Sequence, residues 1–352
     1  MSEAEPKNIF IIGGTRFIGP YVVRRLRTLG HRILLFNRGK TPSTFIHDIE
    51  TIHGDRADIV SFRKDIQAFS PDIVIDMIPV TGQDAELLLS VIKQRHPRVV
   101  VISSQDVYHA WGRLIGVEQG EPADVPITED STLRTTRFPY RNQGGRLTDY
   151  DKIIVEETYM SDDDVSATVL RLPMVYGPGD YQHRLYQYLK KMDDNRPHIV
   201  LEEKASRWRW TTGYVENIAE AIVLATFHER AAGRIYNIGN PDTPDLKTWI
   251  RAIGDAAGWS GEIQTIPRQY FPEPIRDRET PDQDIIVSSE RIREELGYHE
   301  PVSLSKGLVQ TIAWEREHPP DKTPPDDLDY ETEDDIMMRF TKGTADARKH
   351  HV

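Results

Sequence analysis

Cysteine is absent from all 352 residues, which removes disulfide frameworks, thiolate nucleophiles and cysteine-ligated metals at once. That composition is compatible with a reducing cytoplasm, and a cytoplasmic location is the expectation. Long apolar runs are also missing. The first, Ile9 to Ile12, is far too short for a signal peptide or a membrane span, so no membrane partner is expected. Excess positive charge is lacking as well: the formal net charge is -12, which repels a phosphate backbone on average and disfavours nucleic acid as a partner. The histidines are scattered without a His-Glu-x-x-His pattern, so no metal is expected, and no Gly-x-Ser-x-Gly nucleophile elbow occurs.

What is present is alternation. Short β-branched runs at Asn8 to Ile12, Arg32 to Phe36, Thr51 to His53, Asp72 to Ile78, Arg98 to Ser103 and Ser166 to Leu172 are separated by helical patterns. Those patterns run from Ile18 to Leu29, Ile59 to Phe69, Gln83 to Arg95 and Thr148 to Met160. Such βαβ alternation predicts an α/β fold: a Rossmann-type doubly wound parallel sheet with a smaller mixed α/β substrate lobe. Residues 7–173 with 214–240 are expected to form the dinucleotide-binding domain, and 174–213 with 241–318 the lobe. A strand-like Arg234 to Ile238 reads as a return to the sheet. Residues 319–352, rich in Pro and acids, are expected to be a poorly ordered tail or a surface-wrapping arm. The Gly- and Pro-rich stretch from His109 to Gly145 follows a strand end and reads as a functional loop.

Gly13-Gly14-Thr15-Arg16-Phe17-Ile18-Gly19 lies directly after the first strand and opens a helix. Gly13 and Gly14 allow a tight turn and close approach to a pyrophosphate, while Gly19 permits close packing of helix on strand. The alternative is an ordinary strand-turn-helix corner. At the end of the second strand, where NAD-specific proteins carry an acid, stand Asn37 and Arg38. Arg38 with Arg16 can grip a 2'-phosphate, so NADP(H) is preferred over NAD(H). Asp55, in Gly54-Asp55-Arg56, is placed to accept from an adenine amino group; otherwise the segment is a plain turn.

With these residues the chain resembles the extended short-chain dehydrogenase/reductase superfamily, the NAD-dependent epimerase/dehydratase group that acts largely on nucleotide sugars. The resemblance rests on the glycine loop and on Val101 to Tyr108, Asp151 to Glu156, Arg171 to Gly179, Tyr214 to Ala219 and Tyr236 to Gly239. The glycine loop also looks like that of an atypical branch that includes chloroplast stem-loop RNA-binding proteins. The resemblance implies that Ser104 hydrogen-bonds the substrate oxygen and that Lys152 holds the nicotinamide ribose. It further implies cofactor contacts at Arg56, Met77, Ile78, Ser103, Pro173 and Val175.

The family's proton-transferring Tyr stands four residues before the Lys, but here that position is Thr148 and the nearby tyrosine is Tyr150. On a continuous helix Tyr150 points away from the face of Lys152. Either the helix begins only after Tyr150, or the usual acid/base is absent. Asp106 matches a proton-removing Glu of the dehydratase branch, though capping the following turn is an equal reading. Tyr108 and His109 stand on the same loop.

On the substrate side, Arg207-Trp208-Arg209-Trp210 interleaves cations with aromatic rings, and Arg209 is the nearest match to a diphosphate-binding arginine. Trp210 equally suits packing within the lobe. Met174 and Tyr176 are expected to line the cleft, and His183 and Arg184 to open the lobe's first helix. A small-molecule substrate is expected, with a homodimer as one assembly. The competing reading is a cofactor-binding recognition protein without turnover.

Overall fold

The computed structural model describes residues 5–41, 48–273, 282–322 and 328–349. Six strands, β1 (Asn8–Ile12), β2 (Arg32–Asn37), β3 (Glu50–His53), β4 (Ile73–Asp76), β5 (Arg98–Ser104) and β6 (Ser166–Leu172), are joined by a seventh, Ile235–Asn237. All pair in parallel, with β1 between β2 and β4 and the order running outward through β5 and β6 to Ile235–Asn237. The β-branched runs are unbroken because both faces are covered: Ile9, Phe10, Ile11 and Ile12 are all 0% exposed. Parallel pairing brings the C-terminal end of every strand to one edge. The strand order reverses between β1 and β4, the place where open α/β sheets bind ligands.

Four helices matter for that edge: α1 (Ile18–Thr28), α2 (Arg63–Phe69), α3 (Gly82–Ile92) and α4 (His109–Leu114). A fifth, α5 (Lys152–Met160), starts four residues later than the apolar period predicts. Asp151 terminates it at that point. One oxygen accepts from the amide of Ile153 at 3.0 Å and the other from the amide of Phe138 at 2.8 Å, so the preceding chain is drawn into a loop. The long strand expected over Asp72 to Ile78 also stops early, at Asp76, where Met77 and Ile78 turn beside Gly13.

The chain divides into two compact units, residues 1–175, 211–241 and 285–302, and residues 176–210, 242–284 and 303–352. Segment 285–302, expected in the lobe, belongs to the first unit because it hydrogen-bonds there along its backbone. Ile127 donates to the Ile286 carbonyl at 2.7 Å, and Ser288 to that of Ile127 at 2.8 Å. The second unit holds a parallel pair, His198–Glu202 with Glu262–Ile266, and the helices Leu246–Ala257 and Leu304–Glu317. Where a poorly ordered tail or a surface-wrapping arm is expected, Tyr330–Lys349 is a helix. Ile336, 2% exposed, packs with Ile266 and Phe271, and Met337 and Phe340 join them. Lys191 Nζ reaches Glu333 at 2.7 Å. The run Pro324 to Asp327 lies outside the described residues.

Candidate functional site

The glycine turn has the geometry its sequence requires. Gly13 and Gly14 adopt φ of 97° and 87°, values open to glycine and costly for other residues. A Cβ at position 19 would sit 2.4 Å from Gly14 Cα, so Gly19 is what lets α1 approach the end of β1. Thr15, exposed Arg16 and Phe17 form the crest of the turn, and Ile18 begins α1. Met77 and Ile78 flank Gly13, at 3.1 and 3.6 Å from where its Cβ would be. Gly19→Val is therefore expected to displace the turn, weakening dinucleotide binding at least tenfold and costing roughly 1–3 kcal/mol of stability. Calorimetric titration and thermal unfolding would check both; wild-type affinity would refute the cradle.

At the end of β2, Asn37 Oδ1 accepts from the Gly39 amide at 2.8 Å, while its Nδ2 is buried with no hydrogen-bond partner among the described residues. A buried donor without an acceptor is costly unless a ligand or water supplies one. Arg38 is exposed beside it. Asp55 is also exposed and caps the next turn by accepting from Ala57 at 3.1 Å. The Arg56 guanidinium is engaged within the protein, gripping Asp76 with two 2.5 Å bonds and Asp84 at 3.1 Å.

The C-terminal end of β5 carries a cluster. Ser104 Oγ accepts from the Asp106 amide at 3.2 Å, and Ser104 is a minor influence that lowers the Tyr150 hydroxyl. Tyr150 donates to Asp106 Oδ2 at 2.6 Å. Because α5 starts at Lys152, Tyr150 is free of helical geometry, and Lys152 Nζ lies 5.8 Å from the centre of its ring. Two of the lysine N–H groups are placed on the carbonyls of Pro79 at 2.5 Å and Ile102 at 2.9 Å. Ser104, Asp106, Tyr150 and Lys152 thus lie together, and the late start of α5 removes the spacing objection to Tyr150.

Two members of the cluster were missed. Tyr140 donates to Asp106 Oδ2 at 3.3 Å and accepts from Trp111 Nε1 at 2.8 Å, its ring 5.3 Å from that of Tyr150. Arg134, wholly buried, donates to the Asp106 carbonyl at 2.6 Å and to Asp151 at 3.3 Å. Both come from the long loop after α4, whose irregular sequence offers no periodic signal.

The electrostatics favour a protonated tyrosine. Burial and then the Asp106 charge push the Tyr150 hydroxyl well above its ordinary value. Burial also raises Asp106, against the opposing pull of Tyr150, Arg134 and Lys152. Burial lowers Lys152 to about 8, with Asp106 resisting. Asp106 Oδ1 is buried without a partner among the described residues.

Several expected contacts are corrected. Ser103 Oγ donates to Glu156 at 2.5 Å, and Tyr108, 1% exposed, lies between Asn237 at 2.7 Å and Arg171 at 2.9 Å. Both side chains serve a buried network centred on Arg171 and Glu156. Val175 is 5% exposed, and Pro173 packs 3.1 Å from a Cβ placed on Gly213. In the second unit Tyr176 is fully buried with its ring 5.1 Å from Trp249, which corrects its expected place on a substrate surface. Arg209 is exposed, its amide donating to Asp284 at 3.0 Å, and Trp210 is half-buried with its ring 5.4 Å from Trp208. His109 lies 3.6 Å from Glu118. Among the described residues no cluster of metal ligands occurs, and no helix is long and apolar enough to cross a membrane.

A seven-stranded parallel sheet with a glycine turn after its first strand defines a Rossmann-type α/β protein. The chain belongs to the NAD dependent epimerase/dehydratase family, whose model matches residues 9–239. It is similar to the chloroplast stem-loop binding protein of 41 kDa b of Arabidopsis thaliana, 23% identical over 326 residues that cover 88% of this chain and 80% of that one. It is also 23% identical to the 2'-dehydrokanamycin reductase of Streptomyces kanamyceticus, over 79% of this chain and 74% of the reductase. Among solved structures, dTDP-glucose 4,6-dehydratase from Bacillus anthracis in complex with NAD shares the fold. Its TM-score is 0.67 at 16% identity, covering 89% of this chain and 97% of that one.

Proposed function

We propose that this protein is an NAD(P)-dependent oxidoreductase of the epimerase/dehydratase type, acting on a nucleotide sugar or a related small hydroxyl or carbonyl substrate. The observation that carries the reading is the Ser104–Tyr150–Asp106–Lys152 cluster at the end of β5, on the sheet edge that holds the glycine turn. Family membership and the nucleotide-sugar and reductase names among its relatives support it.

The residues present fit a dinucleotide. Gly13 and Gly14 turn the backbone at positive φ and Gly19 packs α1 against that turn, which brings the helix N-terminus to the end of β1 where a pyrophosphate would bind, and Asn37 Nδ2 is a buried donor in need of an acceptor. When bound, the nicotinamide supplies a hydride acceptor or donor. The protein's part is to handle the proton. Ser104 holds the substrate oxygen. In the oxidative direction the substrate O–H proton passes to the Tyr150 oxygen as the Tyr150 proton passes to Asp106, and reduction reverses both transfers. Asp106 is suited to this because burial already favours its protonated form. Lys152, with two N–H groups on backbone carbonyls, keeps the third for the nicotinamide ribose.

Asn37 does not repel a 2'-phosphate and exposed Arg38 attracts one, which favours NADP(H). Titration calorimetry with NADP+, NADPH, NAD+ and NADH is the direct test. Arg38→Ala is expected to weaken NADP+ about tenfold, the size of one charge-assisted contact, and to leave NAD+ unchanged. Equal losses for both would remove the preference. No binding of any dinucleotide would end the enzyme reading and leave recognition without turnover.

A further inference from the structure

Glu315, in the helix Leu304–Glu317 of the second unit, is 0% exposed, and its Oε2 lies 2.7 Å from Nδ1 of His183. Its Oε1 is buried without a hydrogen-bond partner among the described residues. Burial raises this carboxyl, and the bond to His183 offsets part of the rise. The His183 backbone adopts φ of 49°, the left-handed region that non-glycine residues rarely occupy. The turn that imposes this is anchored by Asp180, 1% exposed, which binds the Gln182 amide at 3.1 Å and Arg184 at 2.7 Å. The ring stacks on Trp314 with centroids 5.4 Å apart and meets Tyr186 edge-on at 6.3 Å.

These constraints fix one nitrogen on a buried carboxylate and leave the other unengaged. The His183 side chain is 18% exposed, and its Nε2 has no hydrogen-bond partner among the described residues. A purely structural ion pair would not need a strained backbone, nor would it strand a second carboxylate oxygen in the interior. Carboxylate to Nδ1 with Nε2 left open is the arrangement that orients an imidazole for proton exchange.

We propose that His183 and Glu315 form an acid–base dyad in the second unit that binds a hydroxyl group of a polyhydroxylated, sugar-like ligand through Nε2. With Nδ1–H donated to ionised Glu315, Nε2 presents its lone pair and accepts a hydrogen bond from the ligand O–H. Full transfer moves that proton to Nε2, leaves the electron pair on the ligand oxygen and forms an imidazolium balanced by Glu315; return of the proton restores both. The Trp314 ring stacks on His318 at 5.0 Å as well as on His183, so it serves to pack the imidazole. The sugar-like character of the ligand and the choice of probe rest on the nucleotide-sugar reading above.

The test uses the full chain and imidazole 15N NMR, with the His183 signals assigned by their loss in His183→Gln. In its neutral form the His183 ring is expected to carry its proton on Nδ1. Glu315→Met, of similar volume, should return it towards the Nε2–H form that free imidazole prefers. Added dTDP-glucose should shift the His183 Nε2 resonance, and His183→Gln should weaken its binding at least tenfold with NADP+ affinity unchanged. An Nε2–H ring in the wild type overturns the dyad, as does dTDP-glucose binding that His183→Gln leaves intact. If Glu315→Met fails to fold, the wild-type tautomer still decides. If dTDP-glucose does not bind the wild type, the nucleotide-sugar reading falls, while the tautomer measurements judge the dyad alone.

Discussion

Tyr150→Phe is expected to lower kcat by about 10²–10⁴-fold, the usual worth of a positioned proton-transfer group, while leaving dinucleotide affinity within about twofold of wild type. The substitution keeps the ring beside Tyr140 and Lys152 and removes only the hydroxyl that donates to Asp106 at 2.6 Å. A structural role for that hydroxyl would instead show as lost stability with turnover intact. Turnover in Tyr150→Phe equal to wild type would sink the relay.

The pH dependence carries a second signature of the same site. Lys152 is lowered from 10.5 to about 8, so its ammonium is present below that pH and lost above it. Turnover should therefore fall by one proton's slope as pH rises through about 8. Stability moves the other way. Between about 8 and 10.5 the unfolded lysine binds a proton that the folded one does not, so this group's contribution to stability rises with pH across that window. Asp106→Asn removes a charge that favours the ammonium, and should move the activity limb below that of wild type. A limb unmoved in Asp106→Asn would separate it from Lys152.

Glu156→Ala is expected to be strongly destabilising. Arg171 is 2% exposed and bonds Glu156 at 2.7 Å, with Ser103 at 2.5 Å from the same carboxylate and Tyr108 at 2.9 Å from the guanidinium. Removing the acid leaves an arginine charge buried without its partner, a loss of about 3–5 kcal/mol. At roughly 2–4 °C per kcal/mol for a unit of this size, thermal unfolding should drop by about 10 °C. Replacing both partners by apolar residues, Glu156→Leu with Arg171→Met, should cost less than Glu156→Ala, because no charge is stranded. If the double change is the worse of the two, the charge account fails and packing governs.

The corrections at Ser103, Tyr108 and Arg56 share one cause. Each lies in a stretch that marks the edge of the sheet, but linear position does not reveal which side chain finds a buried partner. Asp76 captures Arg56 from across the end of β4, and Glu156 captures Ser103 from α5. Tyr140 and Arg134 lie in an aperiodic loop and join the cluster through space, Arg134 by bonding Asp106 and Asp151 and Tyr140 by bonding Asp106 and Trp111.

The sequence by itself determined the parallel sheet, the glycine turn and the family, since unbroken β-branched strands and glycines at positive φ are local demands that the chain meets residue by residue. Only the tertiary structure decided the chemistry of the cluster. The start of α5 depends on Asp151 bonding Phe138, 13 residues earlier, and the state of Tyr150 depends on Asp106, 44 residues away. A cap and a buried charge act through space, so spacing alone could place Tyr150 on the wrong face of a helix that the folded chain never forms there.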